Sequence, residues 1–144
     1  MSRQKNKGDN YERELAAYIN KHTGLDSFRA PLSGGGNLTT HGGADLLGTP
    51  NLFIEAKRVE RLNFHDALAQ AERNQDMSGA HTHAPIVINR RNRMSTGDSL
   101  CLLRLDAFLF FYKYYLKNEG IADGEADARE GGGSSDEGLE EVVA

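Results

Sequence analysis

Residues 42–57 read GGADLLGTPNLFIEAK, two short apolar segments separated by a turn-like sequence. Leu52, Phe53 and Ile54 form a short apolar run that is typical of a buried strand. The preceding Gly-Thr-Pro-Asn, residues 48–51, is turn chemistry, so we predict that residues 44–47 and 52–58 pair as a hairpin. Strand side chains alternate between the two faces of a sheet, so Glu55 and Lys57, which follow this apolar run, lie on the same face.

Three charged residues meet in this hairpin. Glu55 and Lys57 share a face, and a three-residue turn would put Asp45 directly opposite Glu55. Two carboxylates at paired positions repel each other, and a divalent cation with its waters relieves that repulsion. The alternative is that Asp45 lies in a turn while the other two residues form an exposed strand face.

Two features favour the metal site over that alternative. Glu55 and Lys57 directly follow consecutive apolar positions, which indicates a central strand where a charged pair needs a reason. The loop before Asp45 also has five glycines between Gly34 and Gly43, and glycine allows the backbone to approach another molecule closely.

The rest of the chain supplies elements around this hairpin. We predict a helix that starts with a capping box at Asp9 and Glu12 and ends at Gly24, and a last helix capped by Asp106. Between them, patterning predicts a short strand at 27–30, the hairpin, a helix at 63–75, and strands at 84–89 and 100–105. The order α-β-β-β-α-β-β-α predicts an α/β domain with a central mixed sheet.

Composition excludes several classes of protein. The 144 residues are 38% hydrophobic, include one cysteine, and contain no apolar run long enough for a membrane span or signal peptide. We therefore expect a cytoplasmic protein without disulfides or a cysteine-rich zinc site.

Charge divides the chain into two parts. Residues 1–118 carry 16 basic and 12 acidic side chains, whereas residues 119–144 carry one Arg and nine acids. We predict a mildly basic domain over 1–118 and a disordered acidic tail with Gly and Ser over 119–144.

Several motifs in order resemble the PD-(D/E)xK nuclease superfamily, and within it the archaeal-type Holliday junction resolvases and their phage relatives. The resemblance covers about residues 7–75, although Gly-Ala rather than Pro precedes Asp45. It rests on Lys7-Gly8, Glu12-Arg13-Glu14-Leu15, Arg29, Ser33-Gly34-Gly35, Gly43-Ala44-Asp45 and Ile54-Glu55-Ala56-Lys57. The resemblance implies a restriction-endonuclease-like fold with an α-β-β-β-α-β core.

The resemblance also implies a set of catalytic residues. Asp45 and Glu55 would be ligands of Mg²⁺, with Mn²⁺ able to substitute, and the Ala56 carbonyl would be a third ligand. Lys57 would be the catalytic lysine. Glu12 would complete the metal site from the first helix; its alternative role is in the capping box.

Two further polar residues take roles from the same resemblance. Ser33 in the glycine loop would touch the scissile phosphate or its neighbour, and Gln70 would lie near the active site on the second helix. The alternative for Ser33 is an ordinary polar loop residue, and the alternative for Gln70 is a plain surface residue.

Basic residues are the candidates for binding DNA phosphates, which requires no base-specific contact. The candidates, with Ser33, are Arg29, Arg58, Arg61, Arg90, Arg91 and Arg93. For Arg90, Arg91 and Arg93 the alternative is a solvated loop without a role in binding.

The last helix is apolar nearly all round, with eight large apolar side chains between Phe108 and Leu116. Such a helix is either core or an interface with a partner. The resembled family is dimeric, so a homodimer is expected. Cys101 is expected to be a buried strand residue without chemistry.

These observations lead to one principal hypothesis and two alternatives. The principal one is a Mg²⁺-dependent endonuclease that resolves four-way DNA junctions, in the host cytoplasm if it is encoded by a phage. The alternatives are another PD-(D/E)xK nuclease of the repair or restriction type, and a non-catalytic nucleic-acid-binding module.

Overall fold

The structure, a computed structural model, describes residues 3–31 and 43–121. The predicted order of helices and strands is confirmed, with one short 3-10 turn in addition. In chain order the elements are α1 (Arg3–Thr23), β1 (Phe28–Arg29), β2 (Leu46–Leu47), β3 (Leu52–Lys57), α2 (Phe64–Ser78), β4 (Ala84–Asn89), the 3-10 turn (Thr96–Asp98), β5 (Leu100–Leu102) and α3 (Leu105–Asn118).

The five strands form one mixed sheet in the order β1-β2-β3-β4-β5. Only β3 and β4 run parallel, with Glu55 paired to Val87, and the other neighbours are antiparallel. A parallel pair needs a crossover connection, and α2 provides it. The chain therefore has the predicted α/β fold of the restriction-endonuclease type, with β3 and β4 interior to the sheet.

The sheet is covered on both faces because alternate residues of β4 point in opposite directions. Ile86 and Ile88 pack with Tyr11 and Leu15 of α1. Val87, between them, packs instead with α2, where Ala67, Leu68 and Ala71 form the contact. The two helices thus enclose β3 and β4 from opposite sides.

Helix α2 has clear local start and stop signals. The side chain of Asn63 accepts a hydrogen bond from the backbone N–H of Asp66, and Gly79 adopts the left-handed conformation at the other end. These are the usual capping residues for the two ends of a helix. Its start therefore lies one residue after the predicted one and its end three residues later.

Helix α1 begins earlier than predicted. It starts at Arg3, so Asp9 and Glu12 lie inside the helix and do not form its capping box. The prediction of a helix start at Asp9 was wrong because the same spacing that forms a capping box also places both acids on one helical face. Their side chains meet an arginine of β1 instead, as described below.

Three predictions at the other end of the sheet were also wrong. β5 ends at Leu102 rather than at residue 105, and Arg104, not Asp106, is the N-cap of α3. Cys101 is exposed rather than buried, since β5 pairs on one side only and forms an edge of the sheet.

The chain divides into two compact units, Met1–Leu103 and Arg104–Ala144. The first contains the sheet, α1 and α2. The second contains α3, in which no residue is buried and the rings of Phe108 and Tyr112 stack with centroids 5.5 Å apart. The acidic tail predicted at 119–144 lies outside the described residues from position 122 onwards. None of the helices within the described ranges has the length and apolar character needed to cross a membrane.

The β2–β3 turn depends on a glycine with no room for a side chain. Gly48 has φ +79°, and a Cβ there would lie 2.9 Å from the backbone oxygen of Asp26. We expect Gly48→Ala to lower the free energy of unfolding by about 1–3 kcal/mol. The matched control is Gly8→Ala in α1, where a Cβ meets nothing within 4 Å and Ala is expected to stabilise by roughly 0.5–1 kcal/mol. Urea denaturation measures both, and equal effects of the two substitutions would contradict the close approach.

Candidate active site

The site is built where the pairing between β2 and β3 ends. Leu46 is paired with Ile54, and the N–H of Asp45 also donates to the Ile54 carbonyl at 2.9 Å. Two consecutive residues therefore face one residue of β3, as in a β-bulge, a device that redirects a side chain. The Asp45 carboxylate accepts the Ala56 N–H at 2.7 Å. Asp45 thus reaches β3 through both its backbone and its side chain, in the register that we predicted, although Asp45 and Glu55 are not themselves a strand pair.

Glu55 and Lys57 face α2, as their shared face predicts. The Asn74 amide donates to Oε1 of Glu55 at 3.0 Å. One helical turn earlier, Oε1 of Gln70 accepts from Nζ of Lys57 at 3.2 Å. Each charged side chain of β3 therefore has its own amide partner on α2. Gln70 is where the resemblance placed it, although its catalytic role stays a prediction.

Glu12 reaches the site from α1, held by Arg29. The Arg29 Nε donates to Glu12 at 2.9 Å, while another nitrogen of the same guanidinium lies 2.8 Å from Asp9. β1 is itself fixed to α1, because the Asn20 side chain both donates to and accepts from the Ser27 backbone. Arg29 therefore has two protein carboxylates as partners, and its predicted phosphate contact stays a prediction.

The acidic residues of the site hold their protons unusually tightly. Burial, together with the charge of Glu55, raises the pKa of Asp45 to about 7. Burial and the charge of Asp45 raise the pKa of Glu12 to about 7, although Arg29 opposes this shift. Burial also raises the pKa of Glu55, against the hydrogen bond from Asn74 and the charge of Lys57. The charge of Glu55 thus raises the pKa of Asp45, and the charge of Asp45 raises the pKa of Glu12. Ionising all three carboxyls together is therefore costly.

The donor atoms fit a hard divalent cation. Asp45 and Glu55 supply carboxylate oxygens, and the Ala56 carbonyl points to the same edge of β3 as its N–H, which bonds to Asp45. Within residues 3–31 and 43–121, however, no group of three His, Cys, Asp or Glu side chains is close enough to hold a metal ion. Glu12 is bonded to Arg29 in this arrangement, and its predicted role as a metal ligand stays a prediction. Mg²⁺ keeps several waters and commonly uses one or two carboxylates, so the pair suffices.

The predicted DNA-contacting arginines fall into two groups. Arg61, Arg91 and Arg93 are exposed, and Nε of Arg58 is buried without a hydrogen bond to the described residues. Arg90 differs: its side chain is 12% exposed, lies 3.1 Å from Glu14 and stacks 5.4 Å from the centre of the Tyr11 ring. Arg90 therefore anchors its loop to α1, and its predicted contact with DNA is untested. Ser33 lies outside the described residues.

Sequence reasoning missed Asn74 and Asp9. Asn74 follows Gln70 at i+4, so the two amides share one helical face, and that spacing was the available signal. The sequence pattern predicts Asp9 as a helix cap. In the structure Asp9 lies one helical turn before Glu12, and both side chains contact Arg29.

A comparison with protein families gives a match over residues 3–111, to the family described as "Phage putative PDDEXK endonuclease". The chain belongs to this family. Membership confirms the PD-(D/E)xK superfamily, and the matched range contains the whole Asp45–Glu55–Lys57 cluster. No curated protein sequence and no solved structure matches the chain significantly.

Raised carboxyl pKa values predict a definite pH dependence. A folded chain that binds protons more tightly than the unfolded chain loses stability as pH rises from about 4, the usual carboxyl pKa, to the folded-state values. For Asp45 and Glu12 these are about 7. Without divalent metal, we therefore expect Asp45→Asn to raise the melting temperature by several degrees at pH 8 and by less at pH 5.

Thermal denaturation in EDTA at the two pH values measures this difference. Asp26→Asn, which changes an exposed acid, is the control and should show no comparable gain. A lower melting temperature for Asp45→Asn at pH 8 would show that the Asp45 charge stabilises the fold.

Proposed function

We propose that the protein is a Mg²⁺-dependent endonuclease that hydrolyses DNA phosphodiester bonds, with four-way or otherwise branched DNA as its preferred substrate. The observation that carries this proposal is the buried Glu55 carboxylate with the half-buried Asp45 carboxylate beside Lys57 at the end of β3, in a chain of a PD-(D/E)xK endonuclease family. A purely DNA-binding module has no reason to hold a second acid against the carboxylate of an interior strand.

The residues of the cluster divide the chemistry among themselves. Asp45, Glu55 and the Ala56 carbonyl would hold Mg²⁺, with Mn²⁺ as a substitute. The metal supplies Lewis acidity toward the phosphoryl oxygens and toward water. Lys57 orients the attacking water and stabilises the charge that develops as the 3′ oxygen leaves, and Gln70 fixes the Lys57 ammonium from α2. Glu12 adds negative charge close to Asp45.

Branched DNA is a proposal supported by the resemblance to junction resolvases and by the exposed cations in the segments that follow β3 and β4. Arg61, Arg91 and Arg93 can contact phosphates without reading bases, which suits recognition of DNA shape. A phage nuclease with this substrate would act in the cytoplasm of the host cell.

A homodimer completes this proposal. The second unit exposes an aromatic stripe on α3, with Phe108, Tyr112 and Tyr115 stacked in succession. A helix that is apolar all round is stable in water only when it is covered, and a second copy would cover it. Two copies would also place two sites for paired nicks on opposing strands. Light scattering of the full chain measures whether one or two copies are present.

Substitutions in the cluster should separate catalysis from binding. We expect Asp45→Ala, Glu55→Ala and Lys57→Ala each to lower the rate of junction cleavage by about 100-fold or more, because each removes a metal ligand or the catalytic cation. Binding to the junction in Ca²⁺ should persist. Asp76→Ala, an exposed acid of α2, is the matched control and should cleave normally.

The assay compares four-way junction, linear duplex and single-stranded DNA, each in Mg²⁺ or EDTA. Equal cleavage of the junction and the duplex would contradict structure selectivity. Cleavage in EDTA would contradict metal dependence, and no cleavage of any DNA would contradict the nuclease itself.

Phosphate contacts by the exposed arginines should appear in the salt dependence of binding. We expect the double variant Arg91→Ala/Arg93→Ala to bind all DNA sequences more weakly and to reduce the slope of log K against log salt by about one per lost contact. Arg90 is left intact because its contacts with Glu14 and Tyr11 are structural. A double variant of equal charge, Lys21→Ala/Arg73→Ala, is the control. An unchanged slope for the arginine variant would show that this loop faces away from DNA.

A further inference from the structure

The face of α2 that covers β3 presents two amides to two charges. Residues 55 and 57 are two apart on a strand, a rise of about 6.6 Å, and residues 70 and 74 are four apart on a helix, a rise of about 6 Å. Because α2 returns antiparallel to β3, Gln70 meets Lys57 and Asn74 meets Glu55. The two spacings match, so one helical turn serves both charged residues.

The two amides are used in opposite senses. Gln70 presents its carbonyl oxygen to an ammonium group, whereas Asn74 presents its NH₂ group to a carboxylate. Glu55 is 5% exposed, and a carboxylate buried to that degree depends on donors from the protein to define its rotamer. Asn74 is half-buried beside it and donates to one oxygen, Oε1.

We propose that Asn74 is a positioning residue that fixes the Glu55 carboxylate for metal binding. The inference rests on the proposed nuclease function, because it takes Glu55 as a ligand. By holding Oε1, Asn74 sets the rotation of the carboxylate and leaves the other oxygen, Oε2, for the metal. Hydrogen-bond partners of metal ligands typically contribute 10- to 100-fold to metal affinity or activity.

The test measures Ca²⁺ binding to the full-length protein by calorimetry, without DNA, for Asn74→Leu and for Asn74→Gln. Leu has the same branching and the same number of side-chain heavy atoms as Asn but no hydrogen-bond donor, and we expect it to lower the Ca²⁺ affinity about tenfold or more. Gln keeps the amide, so Asn74→Gln should retain most of the affinity. The same substitution at an exposed helical position, Asn10→Leu, is the matched control and should bind as wild type does.

A structural role alone would change the melting temperature without this pattern of affinities. If Asn74→Leu is folded and binds Ca²⁺ as tightly as wild type, the positioning role is overturned, while the nuclease proposal stands. An equal loss of affinity in Asn74→Leu and Asn74→Gln would also overturn it, because the amide would then not be the cause. A wild-type protein that neither binds Ca²⁺ nor cleaves DNA in Mg²⁺ overturns both proposals.

Discussion

Two carboxylates forced into proximity at the end of an interior strand constrain the rest of this site. Asp45 and Glu55 are brought together by the β2–β3 hairpin, and burial raises the pKa of each. No rearrangement of side chains alone removes this repulsion, because the Asp45 carboxylate is bonded to the backbone of Ala56 and the Glu55 carboxylate to Asn74. The repulsion can be reduced by protonation or by a cation.

The neighbours of this pair are consistent with that constraint. The groups that contact the acids are hydrogen-bond donors drawn from different elements: a backbone N–H of β3, an amide of α2 and, for Glu12, a guanidinium from β1. They orient the acids without neutralising the central pair, since Arg29 is paired with Glu12 and Asp9 rather than with Asp45. A full-strength ion pair to Asp45 or Glu55 would compete with a metal ion, whereas a neutral amide fixes the geometry and leaves the negative charge available.

Much of this arrangement could be predicted from local sequence. Strand β4 was predicted with its observed ends, because APIVIN is apolar throughout and both faces of an interior parallel strand are buried. The shared face of Glu55 and Lys57 followed from strand periodicity. The bulge at Asp45, the partners of Arg29 and the burial of Arg90 could not be predicted, since each depends on contacts with residues of another strand or helix. The early start of α1 was missed for a related reason: its acids satisfy a local capping pattern and a tertiary contact equally well.

The stability of the fold and the function of the site are therefore linked through one set of charges. Above pH 7 the ionised acids oppose folding, and the cores on the two faces of the sheet offset that cost. Any cation that binds only the folded chain stabilises it by RT ln(1 + [L]/Kd), so the repulsion that weakens the metal-free protein reappears as metal affinity. A chain with a neutral residue at position 45 would fold more stably and, under the proposed function, would have lost one of its two metal ligands. The proposed metal site thus supplies a reason for a pair of acids that opposes folding.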